Sequence, residues 1–138
     1  MTSVPSYSVK PLYDPTGTIV SNIAVVIPCY QEKKHILSVL SEIGQEVTCI
    51  YVVDDACPDN TGDFVQNQCS DNRVVILKNT ENLGVGGATK AGYQRALEDG
   101  AKYIVKLDGD GQMPPTLIPS NNKLNCVWLS LILVSLFL

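Results

Sequence analysis

The sequence predicts an α/β fold in which a mostly parallel sheet carries helices on both faces. Two observations support this prediction: four short apolar runs alternate with segments of helical periodicity, and acidic pairs follow two of those runs. Continuously apolar strands are typical of parallel sheets that are buried on both faces. The alternation of strands and helices implies right-handed crossovers, which pack the helices against the sheet.

The first two predicted strands flank a short helix. Residues 23–27 form an apolar, β-rich run ended by Pro28, and residues 49–53 form a second run. Between them, apolar residues recur at helical spacing over 36–43, and Gly44 lies where a C-terminal helix glycine is expected. We therefore expect strand, helix and strand, with the helix ending at Gly44.

A second helix is expected after the second strand. Asp59 or Asn60 is its candidate N-cap, and residues 64–69 carry its apolar side. Residues 74–77 are continuously apolar and predict the third strand.

The last predicted helix and strand follow a glycine-rich loop. The helix is expected from about Gly87 to Asp99, and Gly100 is expected to end it. Residues 103–105, together with Leu107, predict the fourth strand, which runs into a second acidic segment.

Charge and cysteine content exclude some classes of function. The net charge of −4 argues against a nucleic-acid partner, since the phosphate backbone is bound by basic surfaces. The five cysteines are odd in number and form no C-x-x-C pair, which favours reduced thiols in a cytosolic protein. We expect one domain at 23–120, preceded by a leader at 1–22 that lacks the apolar core of a signal peptide.

The expected tail at 121–138 is strongly apolar. Its run from Leu124 to Leu138 is shorter than the roughly 20 residues of a membrane helix. Three interpretations stay open: a frameshifted or prematurely terminated product, which we favour, a marginal membrane tail, or a buried strand.

The strongest chemical signal is Asp108-Gly-Asp110 after the fourth strand. Two carboxylates about 4 Å apart repel by roughly 4 kcal/mol at an effective dielectric constant of 20. Mg²⁺ or Mn²⁺ relieves such repulsion while sharing its ligand shell with substrate phosphates, and Gln112 offers a further oxygen. A polar turn without a metal is the simpler alternative.

Asp54-Asp55 is a second acidic pair at a strand end. Acidic residues in that position hydrogen-bond a base or ribose in nucleotide-binding sheets, although solvation of the strand end explains the pair equally simply. Tyr30 and Glu32, after the first strand, can stack on a nucleobase and hold it. Edge packing and helix-dipole pairing are their alternatives.

The loop at 82–90 (NLGVGGATK) only approximates two phosphate-binding motifs. Both fail because Thr89 stands where a glycine is required. What remains is a helix N-terminus with one cation, Lys90, which is compatible with a pyrophosphate contact. A capping loop with a solvated lysine is equally compatible.

Four segments, taken in order, resemble family 2 glycosyltransferases of the GT-A fold. Residues 25–32 (VVIPCYQE) are similar to the opening V-V-I-P-x-Y-N-E, and 51–61 (YVVDDACPDNT) to V-V-D-D-G-S-x-D-x-T. Residues 82–92 are similar to N-x-G-x-G-x-A-x-x-x-G. Residues 108–115 (DGDGQMPP) resemble the D-A-D-G-Q-H-P-P metal motif, most like that of the polyprenyl-phosphate sugar synthase branch.

The resemblance implies a GT-A, Rossmann-like nucleotide-binding half. The residues it places around the nucleotide are Pro28, Tyr30, Glu32, Asp55, Lys90 and Asp108. The residues it assigns to Mn²⁺ or Mg²⁺ on the pyrophosphate are Asp108, Asp110 and Gln112. The departures from the family pattern, such as Ala56-Cys57 for Gly-Ser and Met113 for His, remove no carboxylate.

The implied activity is metal-assisted, inverting transfer of a sugar from a UDP- or GDP-sugar, with a polyprenyl phosphate at the membrane surface as one candidate acceptor. A cytoplasmic, membrane-associated protein is expected. The family places its general base downstream of the metal motif, yet no Asp, Glu or His follows Asp110. We therefore expect a truncated donor half without a catalytic base.

Two alternatives remain for the function. One is a catalytically inactive remnant that binds the nucleotide-sugar. The other is phosphotransfer through an aspartyl phosphate, which is weaker because such proteins carry the D-x-D-G motif on their first strand rather than their fourth.

Overall fold

The computed structural model describes residues 12–13, 19–20, 23–111 and 132–134. Its strands are β1 (Leu12–Tyr13), β2 (Ile19–Val20), β3 (Ile23–Cys29), β4 (Val47–Asp54), β5 (Val74–Lys78), β6 (Tyr103–Lys106) and β7 (Ile132–Val134). Its helices are α1 (Ile36–Ser41), α2 (Thr61–Gln68) and α3 (Gly84–Glu98). None of the helices in this described part is long and apolar enough to cross a membrane.

The main sheet has the strand order β5-β4-β3-β6-β7. The pairs β5–β4, β4–β3 and β3–β6 are parallel, whereas β7 pairs antiparallel with β6. β1 and β2 form a separate antiparallel pair. The mostly parallel sheet predicted from the apolar runs is confirmed. β7 lies within the apolar tail predicted at 121–138, most of which is outside the described residues.

Helices cover both faces of the sheet, as predicted. One face of β3 carries Val25 and Ile27, which pack in a core with Ile36 and Leu40 of α1 and with Val65 of α2. The opposite face packs against α3 in a second core. Alternating strand residues therefore enter two different cores, which explains why the runs are apolar throughout.

The α3 face is closely packed. Ala24 and Val26 of β3 and Tyr51 of β4 lie in one core with Ala88 and Ala96 of the helix. Small residues on α3 allow this close approach of helix and sheet.

Pro28 lies inside β3, although the sequence predicts that it ends the strand. The Leu107 N–H donates to the Val26 oxygen over 2.9 Å, so even-numbered residues of β3 face β6. β6 ends at Lys106, opposite Val26. The ring nitrogen of Pro28 therefore points past the end of β6, where no ladder hydrogen bond is lost, and β3 continues to Cys29.

The prediction that Gly44 ends the first helix is wrong. α1 ends at Ser41, with Glu42 as its C-cap. The carbonyl oxygens of Ile43 and Gly44 instead accept hydrogen bonds from the Arg73 guanidinium, over 3.2 and 2.6 Å. These hydrogen bonds from Arg73 hold the two carbonyl groups outside the helix. α1 therefore ends before the position that the apolar spacing predicts.

Of the two residues predicted as candidate N-caps of the second helix, Asn60 occupies the N-cap position, at a left-handed φ of 54°. Its side chain makes no capping hydrogen bond. Asp54, at the end of β4, caps the helix instead, because its Oδ2 accepts from the Gly62 N–H over 2.9 Å. Its Oδ1 accepts from the Cys57 N–H over 2.8 Å, so one buried carboxylate ties both ends of this loop.

α3 begins at Gly84, three residues before the predicted start at Gly87. The Gly84 N–H donates to the Asn82 Oδ1 over 2.9 Å, which ties the turn that precedes the helix. The glycines that suggest an open loop in the sequence therefore form the first turn of the helix.

The end of α3 agrees with the predicted stop at Gly100. The helix ends at Glu98, and Gly100 takes a φ of 89°. The Gly100 N–H donates to the Leu97 oxygen over 3.0 Å, and the Ala101 N–H donates to the Ala96 oxygen over 2.9 Å. This pair of hydrogen bonds is a Schellman motif, for which a left-handed glycine is preferred.

Candidate functional site

An open cavity of about 280 Å³ lies at the carboxyl edge of the sheet, beside the ends of β3 and β6. From β3 the chain order runs to β4 and β5 on one side, whereas β6 lies on the other side. Ligands of open α/β sheets bind at such a reversal of strand order. The cavity is lined by Pro28, Cys29, Tyr30, Glu32, Asp55, Asn82, Gly84, Val85, Ala88, Asp108, Gly109 and Asp110.

Most of the predicted site residues meet in this cavity. Those that line it are Pro28, Tyr30, Glu32, Asp55, Asp108 and Asp110. Lys90 is exposed on α3 and is not among the lining residues. Gln112 lies outside the described residues. The carboxylates predicted at two strand ends are thus brought together, whereas the predicted cation is not.

Asp55 fixes the loop that precedes α3, and α3 forms one wall of the cavity. Its side chain is 3% exposed, and its Oδ1 accepts hydrogen bonds from the Asn79 Nδ2 over 2.8 Å and from the Leu83 N–H over 2.9 Å. These bonds fix the loop before α3 against the end of β4. The two residues of the acidic pair predicted at this strand end therefore have different roles. Asp54 caps α2, and of the two only Asp55 lines the cavity.

The cavity has an apolar rim. Tyr30, Leu83 and Val85 are exposed to 45, 49 and 62%, and they are the large hydrophobic residues exposed in the described part of the chain. Tyr30 and Val85 line the cavity, and Leu83 precedes α3 beside them. Exposed apolar side chains grouped around a concave surface are typical of ligand sites.

Negative charge also gathers at the cavity. Burial raises the pKa of Glu32 above its ordinary value, and the Asp110 and Asp108 carboxylates raise it further, against a smaller opposing effect of His35. A side chain at Gly109 would meet Glu32 Cγ at 3.3 Å and Cys29 Sγ at 3.2 Å, so the turn packs directly on β3. Crowded carboxylates of this kind attract a cation.

One cation already lies at this turn. The Lys106 Nζ donates to the Asp108 Oδ1 over 2.8 Å, in a pair that is partly exposed. A lysine ammonium is a mobile point charge on a flexible stem, so a second cation can take its place.

The donor set fits a divalent cation that also binds a substrate. Asp108 and Asp110 offer hard oxygen ligands at the cavity, and Mg²⁺ and Mn²⁺ are held by one or two carboxylates together with phosphates and water. Within residues 23–111, no group of three or more His, Cys, Asp or Glu side chains forms a closed metal site by itself.

Several lining residues were not predicted as site residues. These are Cys29, Asn82, Gly84, Val85, Ala88 and Gly109. The segment at 82–88 carries a usable signal, because a polar residue followed by closely spaced glycines marks a helix start that can approach a ligand.

Comparison with known proteins identifies the family of the chain. The profile of glycosyl transferase family 2 matches residues 24–120, well over half of the chain. The chain belongs to glycosyl transferase family 2.

Two curated relatives act on lipid-linked substrates by name. The undecaprenyl-phosphate mannosyltransferase of Micrococcus luteus is 35% identical over 100 residues, which cover 70% of this chain and 41% of that protein. The UDP-N-acetylglucosamine–dolichyl-phosphate N-acetylglucosaminyltransferase of Methanococcus voltae is 35% identical over 107 residues, covering 67% of this chain and 43% of that protein. The chain spans about two fifths of the length of these relatives.

A solved structure shares the fold. The mannosyltransferase of Pyrobaculum calidifontis, in complex with GDP-Man and Mn²⁺, superposes with a TM-score of 0.55 at 25% identity. The match covers 75% of this chain and 30% of that one. The GT-A fold expected for the chain is confirmed for its nucleotide-binding half.

Proposed function

We propose that the cavity binds the nucleoside diphosphate part of an NDP-sugar with Mn²⁺ or Mg²⁺, as the donor site of an inverting glycosyltransferase. The observation that carries the proposal is that one cavity is lined both by exposed apolar side chains, Tyr30 and Val85, and by the Asp108 and Asp110 carboxylates. A nucleoside diphosphate needs both kinds of surface, one for its flat base and one for its metal-binding diphosphate.

The base is proposed to lie at the apolar rim. Tyr30, directly after β3, and Val85 of α3 both line the cavity, so a planar ring can contact both walls. Pro28 adds a rigid apolar surface at the end of β3. Glu32 and Asp55 border the same space, and a carboxylate can accept hydrogen bonds from the N–H groups of a base or the hydroxyls of a ribose.

The diphosphate is proposed to lie at the acidic turn. Asp108 and Asp110 would hold the divalent cation, with Gln112 as a further oxygen ligand. When bound, the cation supplies positive charge that stabilises the departing diphosphate. Lys106 already neutralises part of Asp108, and it is placed to stay near the phosphates when the cation takes its position.

In this proposal Lys90 acts only through its charge and makes no contact with the nucleotide. The wall that α3 contributes consists of Gly84, Val85 and Ala88, whereas Lys90 lies on the exposed surface of the helix. Its charge can attract a diphosphate to the N-terminal half of α3 without touching it.

A polyprenyl phosphate is the proposed acceptor. The names of the relatives from Micrococcus luteus and Methanococcus voltae support this substrate class. A phosphate monoester has a second pKa of about 6, so its attacking oxygen is already ionised at neutral pH. Such an acceptor needs no strong general base to deprotonate it.

The proposal is tested by calorimetric titration of the full chain with UDP, GDP and dTDP, each with and without Mn²⁺. We expect one nucleotide to bind in a metal-dependent manner, and Asp110→Ala to weaken that binding at least about 10-fold. Asp63→Ala is the matched control, because it removes an exposed carboxylate of α2 that pairs with Lys78 away from the cavity. A folded chain that binds none of the three nucleotides would refute the proposal.

Binding without turnover is the second candidate function. It is favoured by the cavity lining, in which the carboxylates are assigned to the nucleotide or to the metal and none is assigned to an acceptor. Release of the nucleoside diphosphate from an NDP-sugar, measured with and without a polyprenyl phosphate, separates the two. Metal-dependent binding with no release under either condition would establish the non-catalytic function.

A further inference from the structure

Strained backbone is concentrated in two loops at the carboxyl edge of the sheet. In the described part of the chain, the non-glycine residues with positive φ are Gln31, Ala56 and Asn60, at 56°, 55° and 54°. Gln31 lies between Tyr30 and Glu32, which line the cavity, and the other two lie between β4 and α2. Left-handed backbone is unfavourable for residues with a side chain and persists only where surrounding contacts enforce it.

The contacts that enforce it join the two loops. The Gln31 N–H donates to the Cys57 Sγ over 2.9 Å. The neighbouring Glu32 N–H donates to the Thr61 Oγ1 over 3.3 Å. Two successive backbone groups of the cavity wall are therefore held by Cys57 of the loop between β4 and α2 and by Thr61, the first residue of α2.

Asp59 orients those two side chains. Its Oδ1 accepts from the Thr61 hydroxyl over 2.7 Å and also from the Cys57 thiol. Burial raises the pKa of Asp59, but these two hydrogen bonds and Lys33 outweigh it and leave the pKa below its ordinary value. Because both protons point to Asp59, the lone pairs of the sulfur and the oxygen stay available to accept from Gln31 and Glu32.

Neither Cys57 nor Thr61 lines the cavity, and both are buried, at 6 and 0% exposure. Their hydrogen bonds to the cavity wall are made with the backbone of the Tyr30–Glu32 segment. We propose that Thr61 and Cys57 are positioning residues that set the placement of Tyr30 and Glu32 for the nucleotide. This inference rests on the proposed nucleotide-binding function.

Thr61→Val tests the inference, because it keeps the shape of the side chain and removes the acceptor for the Glu32 N–H. With UDP and GDP as probes in the presence of Mn²⁺, we expect the affinity of the full chain to fall about 10-fold. Thr61→Ser, which keeps the hydroxyl, should restore most of it. Thr48→Val is the matched control, since the Thr48 hydroxyl makes a comparable bond to the Ile23 oxygen, over 2.9 Å, at the opposite edge of the sheet.

All affinities are measured at a temperature at which circular dichroism shows each variant to be folded. A purely structural role would lower the unfolding temperature of Thr61→Val without changing its affinity, and that result would overturn the inference. If Thr61→Val does not fold, Cys57→Ala against Cys57→Ser provides the same comparison through Gln31. A wild-type chain that binds neither nucleotide would refute the proposed function and, with it, the inference.

Discussion

The two edges of the central sheet use charge in opposite ways. At the amino edge, the Arg73 guanidinium donates to the carbonyl oxygens of Ile43, Gly44 and Val47 and to the Asp71 carboxylate. All five of its N–H groups have acceptors. At the carboxyl edge, like charges gather instead, on Glu32 and on the turn from Asp108 to Asp110.

The difference indicates that the charges at the amino edge stabilise the fold, whereas the charges at the carboxyl edge suit the binding of a cation. The charges of Arg73 and Asp71 at the amino edge are matched by partners within the chain, which is the arrangement that folding alone favours. The carboxyl edge carries repulsion that folding alone would remove, and a bound cation is what would relieve it. Substitutions at the two edges should therefore change different measured quantities.

The largest expected effect is that of Arg73→Ala. It removes the hydrogen bonds of all five guanidinium N–H groups at once and leaves three backbone carbonyl groups without these donors, so we expect the free energy of unfolding to fall by about 3 kcal/mol. Urea denaturation measures this change. Nucleotide affinity of the folded variant should stay within about twofold of the wild type.

Arg95→Ala is the control for this prediction, because Arg95 makes an exposed ion pair with Asp99 and its loss should change stability little. An equal loss of stability in Arg95→Ala and Arg73→Ala would show that the amino edge has no special stabilising role.

A smaller effect should appear in the pH dependence of stability, with opposite signs at the two edges. Hydrogen bonds from Arg73 lower the pKa of Asp71 below its ordinary 3.8, against the opposing effect of burial. This contribution to stability is present above pH 3.8 and is lost as the pH falls through the lowered folded pKa. Asp71→Asn should therefore be less stable than the wild type at pH 7, with a difference that shrinks below pH 3.8.

Glu32→Gln should show the reverse. Burial, then Asp110, raises the pKa of Glu32 above its ordinary 4.5, so its favourable contribution is present below pH 4.5 and is lost as the pH rises through the folded pKa. Without metal or nucleotide, the variant should be more stable than the wild type at pH 7, with a difference that shrinks toward pH 4.5. Chemical denaturation at several pH values measures both variants, and differences of the same sign would contradict the comparison.

The smallest effect is expected for Lys106→Met. Removing the ammonium that pairs with Asp108 leaves the turn more negative, so Mn²⁺ should bind about threefold more tightly in the presence of nucleotide. Calorimetric titration with Mn²⁺ measures the change. Lys78→Met, which breaks the exposed pair with Asp63 away from the cavity, serves as the control, and weaker Mn²⁺ binding in Lys106→Met would contradict the prediction.

The core of the fold could be predicted because its signal is local. Strands β3, β4, β5 and β6 each contain one of the predicted apolar runs, and no polar residue interrupts those runs. β3 shows the reason most clearly, because all seven of its residues are buried. The order of the strands could not be predicted, because it depends on which strand lies beside β3 across the sheet.

The helix ends were predicted less well because distant residues decide them. Arg73 binds the carbonyl oxygen of Gly44, which therefore lies outside α1, and Asp54 caps α2 from the end of β4. Neither contact is visible in the sequence near the helix it affects. Gly100 is the exception, because the left-handed turn that ends α3 is a property of the glycine itself.

The site residues were likewise predictable only where local sequence decides their position. Tyr30, Glu32, Asp55 and the Asp108–Asp110 turn were predicted because strand ends in a parallel sheet meet at one edge. The placement of Lys90 was not, since it depends on where α3 begins. A start at Gly84 leaves Lys90 on the exposed surface of the helix, away from the cavity lining.

The pairing of β3 with β6 has a consequence for the order in which the site forms. β3 is the first strand of the main sheet along the chain, yet Ile23 pairs with Tyr103, near the end of the continuously described part. Contacts between residues so far apart in sequence form slowly, because a long loop must close first. During synthesis, β3 and β4 can pair early, but the boundary of the cavity is complete only when β6 arrives. We therefore expect the cavity to be the last part of the parallel sheet to form, so that the binding proposed for it would indicate that these strands have finished folding.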